Sequence, residues 1–118
     1  MKNANSFLKL SPCTLADLLS RDRIMDNGIR PLYQNVPRIA GPAFTVRCGP
    51  GDNLMLHAAI YRAPARSVIV VESADLNYAV AGGNVCAVAQ KNGIAGFVID
   101  GVIRDMAKRR LHQFSILH

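Results

Sequence analysis

The chain has 118 residues, half of them apolar and 19% charged, with a formal net charge of +6. That length bounds it to one domain, expected over residues 1–118 with 1–12 loosely ordered, and the composition excludes a disordered chain. Without an apolar run of about eighteen residues a transmembrane helix is excluded, and the basic excess alone does not make a nucleic-acid site, because no aromatics interleave with the charges.

The N-terminal MKNANSFLKLSPC holds a basic residue but no apolar core or small-residue cleavage site, so no leader is expected there. Ser11-Pro12 followed by Thr14-Leu15-Ala16-Asp17 predicts a helix start with Thr14 as N-cap. Leu15, Leu18 and Leu19 give that helix an apolar face. Asn27-Gly28 turns the chain, and Pro31 and Pro37 keep the next stretch extended. Arg38 to Cys48 predicts a strand broken at Gly41-Pro42, since Pro42 cannot donate to a ladder. Asp52 or Asn53 can cap a helix over NLMLHAAIYRA, with Leu54, His57, Ala58 and Tyr61 on its inner face. Ser67 to Glu72, SVIVVE, is a β-branched run suited to a central strand.

A helix is predicted from Gly82-Gly83 through Lys91, closed by Asn92 and a left-handed Gly93. Val85, Val88 and Ala89 face inward. Gly96 to Asp100 predicts a buried strand, Arg104-Asp105 opens a short helix through Leu111, and Gln113 to Leu117 reads as another strand. The alternation implies a layered α/β domain. Cys13, Cys48 and Cys86 form no CxxC pair, so they are expected as reduced thiols of a cytoplasmic protein, with Cys86 a small buried hydrophobe.

The chemistry concentrates in residues 82–105. Gly83 and Arg104 have twenty residues between them, about one helix plus one strand, so both can return to one sheet edge. A Gly-rich helix start offers backbone N–H groups to an anion. Arg104 offers a two-pronged cation for a carboxylate or enolate oxygen. Asp105 is a hard oxygen ligand suited to Mg²⁺ or Mn²⁺. Together they read as a site for a small oxo-acid. Each also has a plainer reading. Gly82-Gly83 can be a flexible turn, and Asp105 an acid at a helix start beside a solvated Arg104. Asp75 can reach the site or cap a turn. His57 reads as a packed core residue, and Lys108-Arg109-Arg110 as a solvated face.

The residues also carry a family resemblance. Ile29-Arg30-Pro31-Leu32-Tyr33, Gly41-Pro42-Ala43-Phe44-Thr45-Val46, Gly51-Asp52-Asn53-Leu54 and the Gly83 to Arg104-Asp105 spacing occur in an order that resembles the RraA-like family. That family includes 4-hydroxy-4-methyl-2-oxoglutarate aldolases and the regulator of ribonuclease E activity A. The resemblance implies an α/β/α sandwich with a barrel-like core, similar to the swivelling phosphohistidine domain, assembled as trimers or dimers of trimers. It also implies that the backbone of Gly82, Gly83, Asn84 and Val85 holds a pyruvyl carboxylate. Arg104 would hold the keto oxygen, and Asp105 would help fix a divalent metal, Mg²⁺ or Mn²⁺. The implied reaction is metal-dependent cleavage of a 4-hydroxy-2-oxo diacid to pyruvate, with oxaloacetate decarboxylation at the same site. The rival implication is a protein that inhibits ribonuclease E through surface contacts, or an inactive family member.

The chain departs from the pattern in three places. Lys108 stands where the active branch has an acidic residue, three positions after the Arg-Asp pair. Family chains are expected to continue past Leu117, leaving the fold here incomplete at its C-terminus. Arg66-Ser67 stands where a Gly-Asp turn is expected, a change read as tolerated on the surface.

Overall fold

The computed structural model describes residues 4–104 and 115–117. Ala4–Lys9 wind as a 3₁₀ turn ahead of helix α1, Pro12–Leu18. The cap of α1 is Ser11, not the expected Thr14: the Ser11 hydroxyl accepts the Cys13 amide at 3.2 Å. Pro12 explains the shift, because its fixed φ and missing N–H suit the first helical position. No residue of α1 is buried, so the apolar face expected from Leu15, Leu18 and Leu19 stays largely open. The guanidinium of Arg38 donates to the carbonyls of Leu8 and Leu10, tying this segment back to the chain.

Four parallel strands form the main sheet, in the order β1-β2-β4-β6. Their spans are β1 Ala43–Cys48, β2 Val68–Ser73, β4 Gly96–Asp100 and β6 Ser115–Leu117. β2 is central, as SVIVVE predicts, with Val70 opposite Thr45 on one side and Val98 on the other. β1 starts only after Pro42, whose carbonyl accepts the Val68 amide at 2.9 Å. Helix α2, Leu54–Arg62, joins β1 to β2, and helix α3, Gly83–Lys91, lies between β2 and β4. Leu56, Ile60, Ile69, Cys86, Phe97 and Ile99 are fully buried and knit helices and sheet into one core.

The inner face of α2 is Leu56, Ala59 and Ile60, not the Leu54, His57, Ala58 and Tyr61 stripe. Leu54 and Tyr61 are 65% and 69% exposed, and His57 is exposed rather than packed in the core. α3 matches its prediction. Gly93 follows it at φ 79°, and the amides of Asn92, Gly93 and Ile94 turn back to carbonyls of Val88, Ala89 and Gln90.

Two short strands were not expected. β3, Ala79–Ala81, pairs in parallel with β5, Val102–Ile103, as a separate two-stranded sheet. The helix predicted from Arg104-Asp105 through Leu111 lies outside the described residues beyond Arg104.

The Arg66-Ser67 step is more than a tolerated surface change. Arg66 holds φ at 70°, a left-handed conformation natural to glycine. Ser67 is completely buried, and its hydroxyl has no hydrogen-bond partner among the described residues. The neighbouring Gly41 is fixed by contact: a β-carbon there would lie 2.1 Å from the Arg66 carbonyl oxygen.

Candidate functional site

The β3–β5 ladder brings the two ends of the 82–105 motif together. Ala81 ends β3 and Gly82 caps α3, so the helix starts one residue beyond the strand. Ile103 ends β5 beside Ala81, and the Arg104 amide donates to the Ala81 carbonyl at 3.0 Å. Arg104 therefore emerges next to the N-terminus of α3. Gly82 and Gly83 are buried, and the Cys86 amide closes the first helical bond on the Gly82 carbonyl at 3.1 Å. The amides of Asn84 and Val85 lie in that first turn and have no acceptor within the helix. They sit at the positive end of its dipole.

A cavity of about 410 Å³ opens at this point. Gly82, Val85 and Arg104 line it, together with Ala79 to Ala81 of β3. Gly83 is buried behind the wall, and Asn84 is exposed without lining it. Asp105 lies outside the described residues.

Two loops complete the wall. Gly51, Asp52 and Asn53 come from the β1–α2 loop, and Asn77 and Tyr78 from the β2–β3 loop. The Asn53 amide group donates to the Val80 carbonyl at 3.0 Å, and the Asp52 carboxylate accepts the Leu54 amide at 2.8 Å. The sequence offers Asp52 or Asn53 as the cap of α2. Asp52 does receive a helix-start amide, whereas Asn53, at the N-cap position, makes no capping bond and spans to β3 instead. The Gly51-Asp52-Asn53-Leu54 motif carries the family resemblance but does not mark these residues as cavity lining. Asn77 and Tyr78 carry no signal, because only the β2–β3 connection places them there.

Asp75 takes the turn role. One carboxylate oxygen accepts the Asn77 and Tyr78 amides at 2.9 and 3.0 Å, and the other accepts Gly51 at 2.6 Å. These backbone donors hold its pKa below the ordinary carboxylate value. Burial pushes the Cys86 thiol up to about 12, which leaves it the inert core group expected from its place in α3. Among the described residues no three His, Cys, Asp or Glu side chains gather as a metal site.

The arrangement is an α/β domain in which a helix N-terminus and an arginine line one polar cavity. The RraA-like family model, described as Aldolase/RraA, matches residues 12–118, and the chain belongs to this family. It is 37% identical over 111 residues to a protein of Halalkalibacterium halodurans named "Putative 4-hydroxy-4-methyl-2-oxoglutarate aldolase", covering 93% of this chain and 52% of that protein. A Burkholderia multivorans protein of the same name is 38% identical over 96 residues, covering 80% of this chain and 57% of its own length. The chain thus spans about half the length of the curated relatives it matches. Among solved structures, the RNA-processing inhibitor RraA from Thermus thermophilis superposes with a TM-score of 0.76 at 25% identity, covering 92% of this chain and 65% of that one. An uncharacterized protein from Pseudomonas syringae superposes with a TM-score of 0.77 at 31% identity, covering 99% and 57%.

Proposed function

We propose that the chain is a divalent-metal-dependent lyase. It cleaves 4-hydroxy-2-oxo diacids of the 4-hydroxy-4-methyl-2-oxoglutarate type to pyruvate and decarboxylates oxaloacetate at the same site. The observation that carries this reading is the meeting of the α3 N-terminus and Arg104 on one cavity. The aldolase names of the relatives support it.

Cleavage breaks the C3–C4 bond as the 4-hydroxyl group loses its proton. The bonding electrons pass to the pyruvate enolate, with negative charge building on the C2 oxygen. The first-turn amides of α3 hold the C1 carboxylate, with Gly82 leaving the backbone open to close approach. Arg104, beside that helix start, would hold the C2 oxygen. Losing one such donor typically costs about 3 kcal/mol of the barrier. Asp105, next in the chain to Arg104, would hold Mg²⁺ or Mn²⁺. One carboxylate suffices for Mg²⁺ when water and the substrate's own oxygens complete the shell. The bound ion supplies Lewis-acid stabilisation of the same developing charge.

Pyruvate release is therefore expected from either substrate with Mg²⁺ or Mn²⁺, to stop with a chelator, and to fall about a hundredfold or more in Arg104→Ala. A coupled lactate dehydrogenase assay reads all three. Folded, metal-loaded protein that makes no pyruvate from either substrate would end the lyase reading.

A second reading is favoured by the likeness to the Thermus inhibitor and by Lys108. In it the chain is a protein-binding regulator of ribonuclease E. It predicts a direct complex with the nuclease that is indifferent to Arg104→Ala. The free thiols accord with a reducing compartment, the cytoplasm. No helix of the described residues is long and apolar enough to cross a membrane.

A further inference from the structure

We propose that Asp75 is a positioning residue, a clasp that locks the two loops of the cavity wall to each other and so sets the shape that receives the 2-oxo acid. The inference rests on the lyase reading for the identity of the ligand, but not for the existence of the clasp.

The two loops come from different connections. Residues 49–53 link β1 to α2, and residues 74–78 link β2 to β3. Gly51, Asp52, Asn53, Asn77 and Tyr78 from these loops line the cavity together with Arg104 and the start of α3. Asp75 does not line the cavity, yet both of its carboxylate oxygens are committed. Oδ1 accepts the amides of Asn77 and Tyr78, which shapes its own loop, and Oδ2 accepts the Gly51 amide at 2.6 Å across the gap. The Ser73 hydroxyl donates to the Asp75 carbonyl at 3.1 Å, holding the residue at the end of β2. A second contact supports the first. The Tyr78 ring packs over Gly51, in ordinary van der Waals contact with the place a β-carbon would take, 3.4 Å from Tyr78 Cδ2.

This division of labour between the two oxygens matters. A carboxylate can take three amide donors because it is acceptor-only. An asparagine cannot, because one of its terminal atoms is itself a donor. With the oxygen kept toward Asn77 and Tyr78, the NH₂ group of Asp75→Asn would face the Gly51 N–H. The substitution should therefore spare the local turn and break only the bond between loops. Asp75→Ala should remove both.

The test compares the full-length wild type, Asp75→Asn and Asp75→Ala by amide hydrogen exchange and by steady-state kinetics on oxaloacetate with Mg²⁺. Protection at Gly51 is expected to drop in both variants, while Asn77 and Tyr78 lose protection only in Asp75→Ala. The KM is expected to rise about tenfold in Asp75→Asn, with kcat within about twofold, as fits loss of one charge-assisted bond that only shapes the site. Unchanged exchange at Gly51 in Asp75→Asn overturns the clasp. So does lost Gly51 protection with an unchanged KM, because the loops would then be joined to no purpose at the site. If the wild type makes no pyruvate, the lyase reading fails by itself, and the exchange data still decide whether Asp75 joins the loops.

Discussion

Arg66 carries a backbone cost, and its side chain makes no hydrogen bond or ion pair among the described residues to offset it. Its left-handed backbone is held by its amide donating to the Gly93 carbonyl at 2.7 Å and by the close approach of Gly41. A residue with a β-carbon loses about 1–2 kcal/mol in that conformation, and the extra freedom of glycine in the unfolded chain offsets part of the gain from relieving it. Arg66→Gly is expected to stabilise the fold by about 1 kcal/mol. The measurement is a urea titration in which the midpoint rises at constant slope, and Arg66→Ala, which keeps the β-carbon, should show no such rise. The sequence marked the Arg66-Ser67 step as unusual but could not show its cost. A φ angle is set by what the neighbouring backbone demands, and Gly41 lies twenty-five residues upstream.

Gly41-Pro42 shows the same logic for an element. Pro42 ends the extended approach and β1 begins at Ala43, opposite Val68 of β2. The β1–β2 pair can align there only because position 41 has no side chain to meet the Arg66 carbonyl. Gly41→Ala must push the two backbones apart, and a loss of about 3 kcal/mol is expected from chemical denaturation. The strands and helices that were legible in the sequence, β2, β4 and α3, have long apolar runs or clear caps. β3 and β5, of three and two residues, are too short for any periodicity to reveal. The buried face of α2 differs from the expected stripe for a different reason. Leu54, Met55, Leu56, Ala58, Ala59, Ile60 and Tyr61 leave it apolar on nearly every side. Two stripes then fit the helical spacing, and only the packing against β1 and β2 selects Leu56, Ala59 and Ile60. The cavity is legible in its ends, Gly82 and Arg104, and not in its walls, because walls are made by loops that meet only in the fold.

At the scale of the molecule, the first twenty-five residues leave several large apolar side chains open. Phe7, Leu10, Leu18, Leu19, Ile24 and Met25 are between 43% and 80% exposed. Exposed apolar surface of this kind commonly marks an association surface, and the family resemblance implies a trimer or dimer of trimers. The chain is expected to sediment well above its 12.8 kDa. Replacing Leu18 and Leu19 by serine should shift it toward monomer while leaving the far-UV circular dichroism of the folded chain unchanged, since neither side chain belongs to the core of the single chain. A monomer at all concentrations would count against association through this surface. The small β3–β5 ladder has a wider bearing. It works as a gauge block: the gap between the helix start and the arginine is fixed by Ala81 lying beside Ile103 and by the Arg104 amide on Ala81. The stretch of chain that runs out through α3 and back through β4 does not measure that gap. A lineage could lengthen the α3–β4 turn at Asn92-Gly93 and keep the same jaw width, whereas a single-residue slip between β3 and β5 would close or spring the jaw with every chemical group still present.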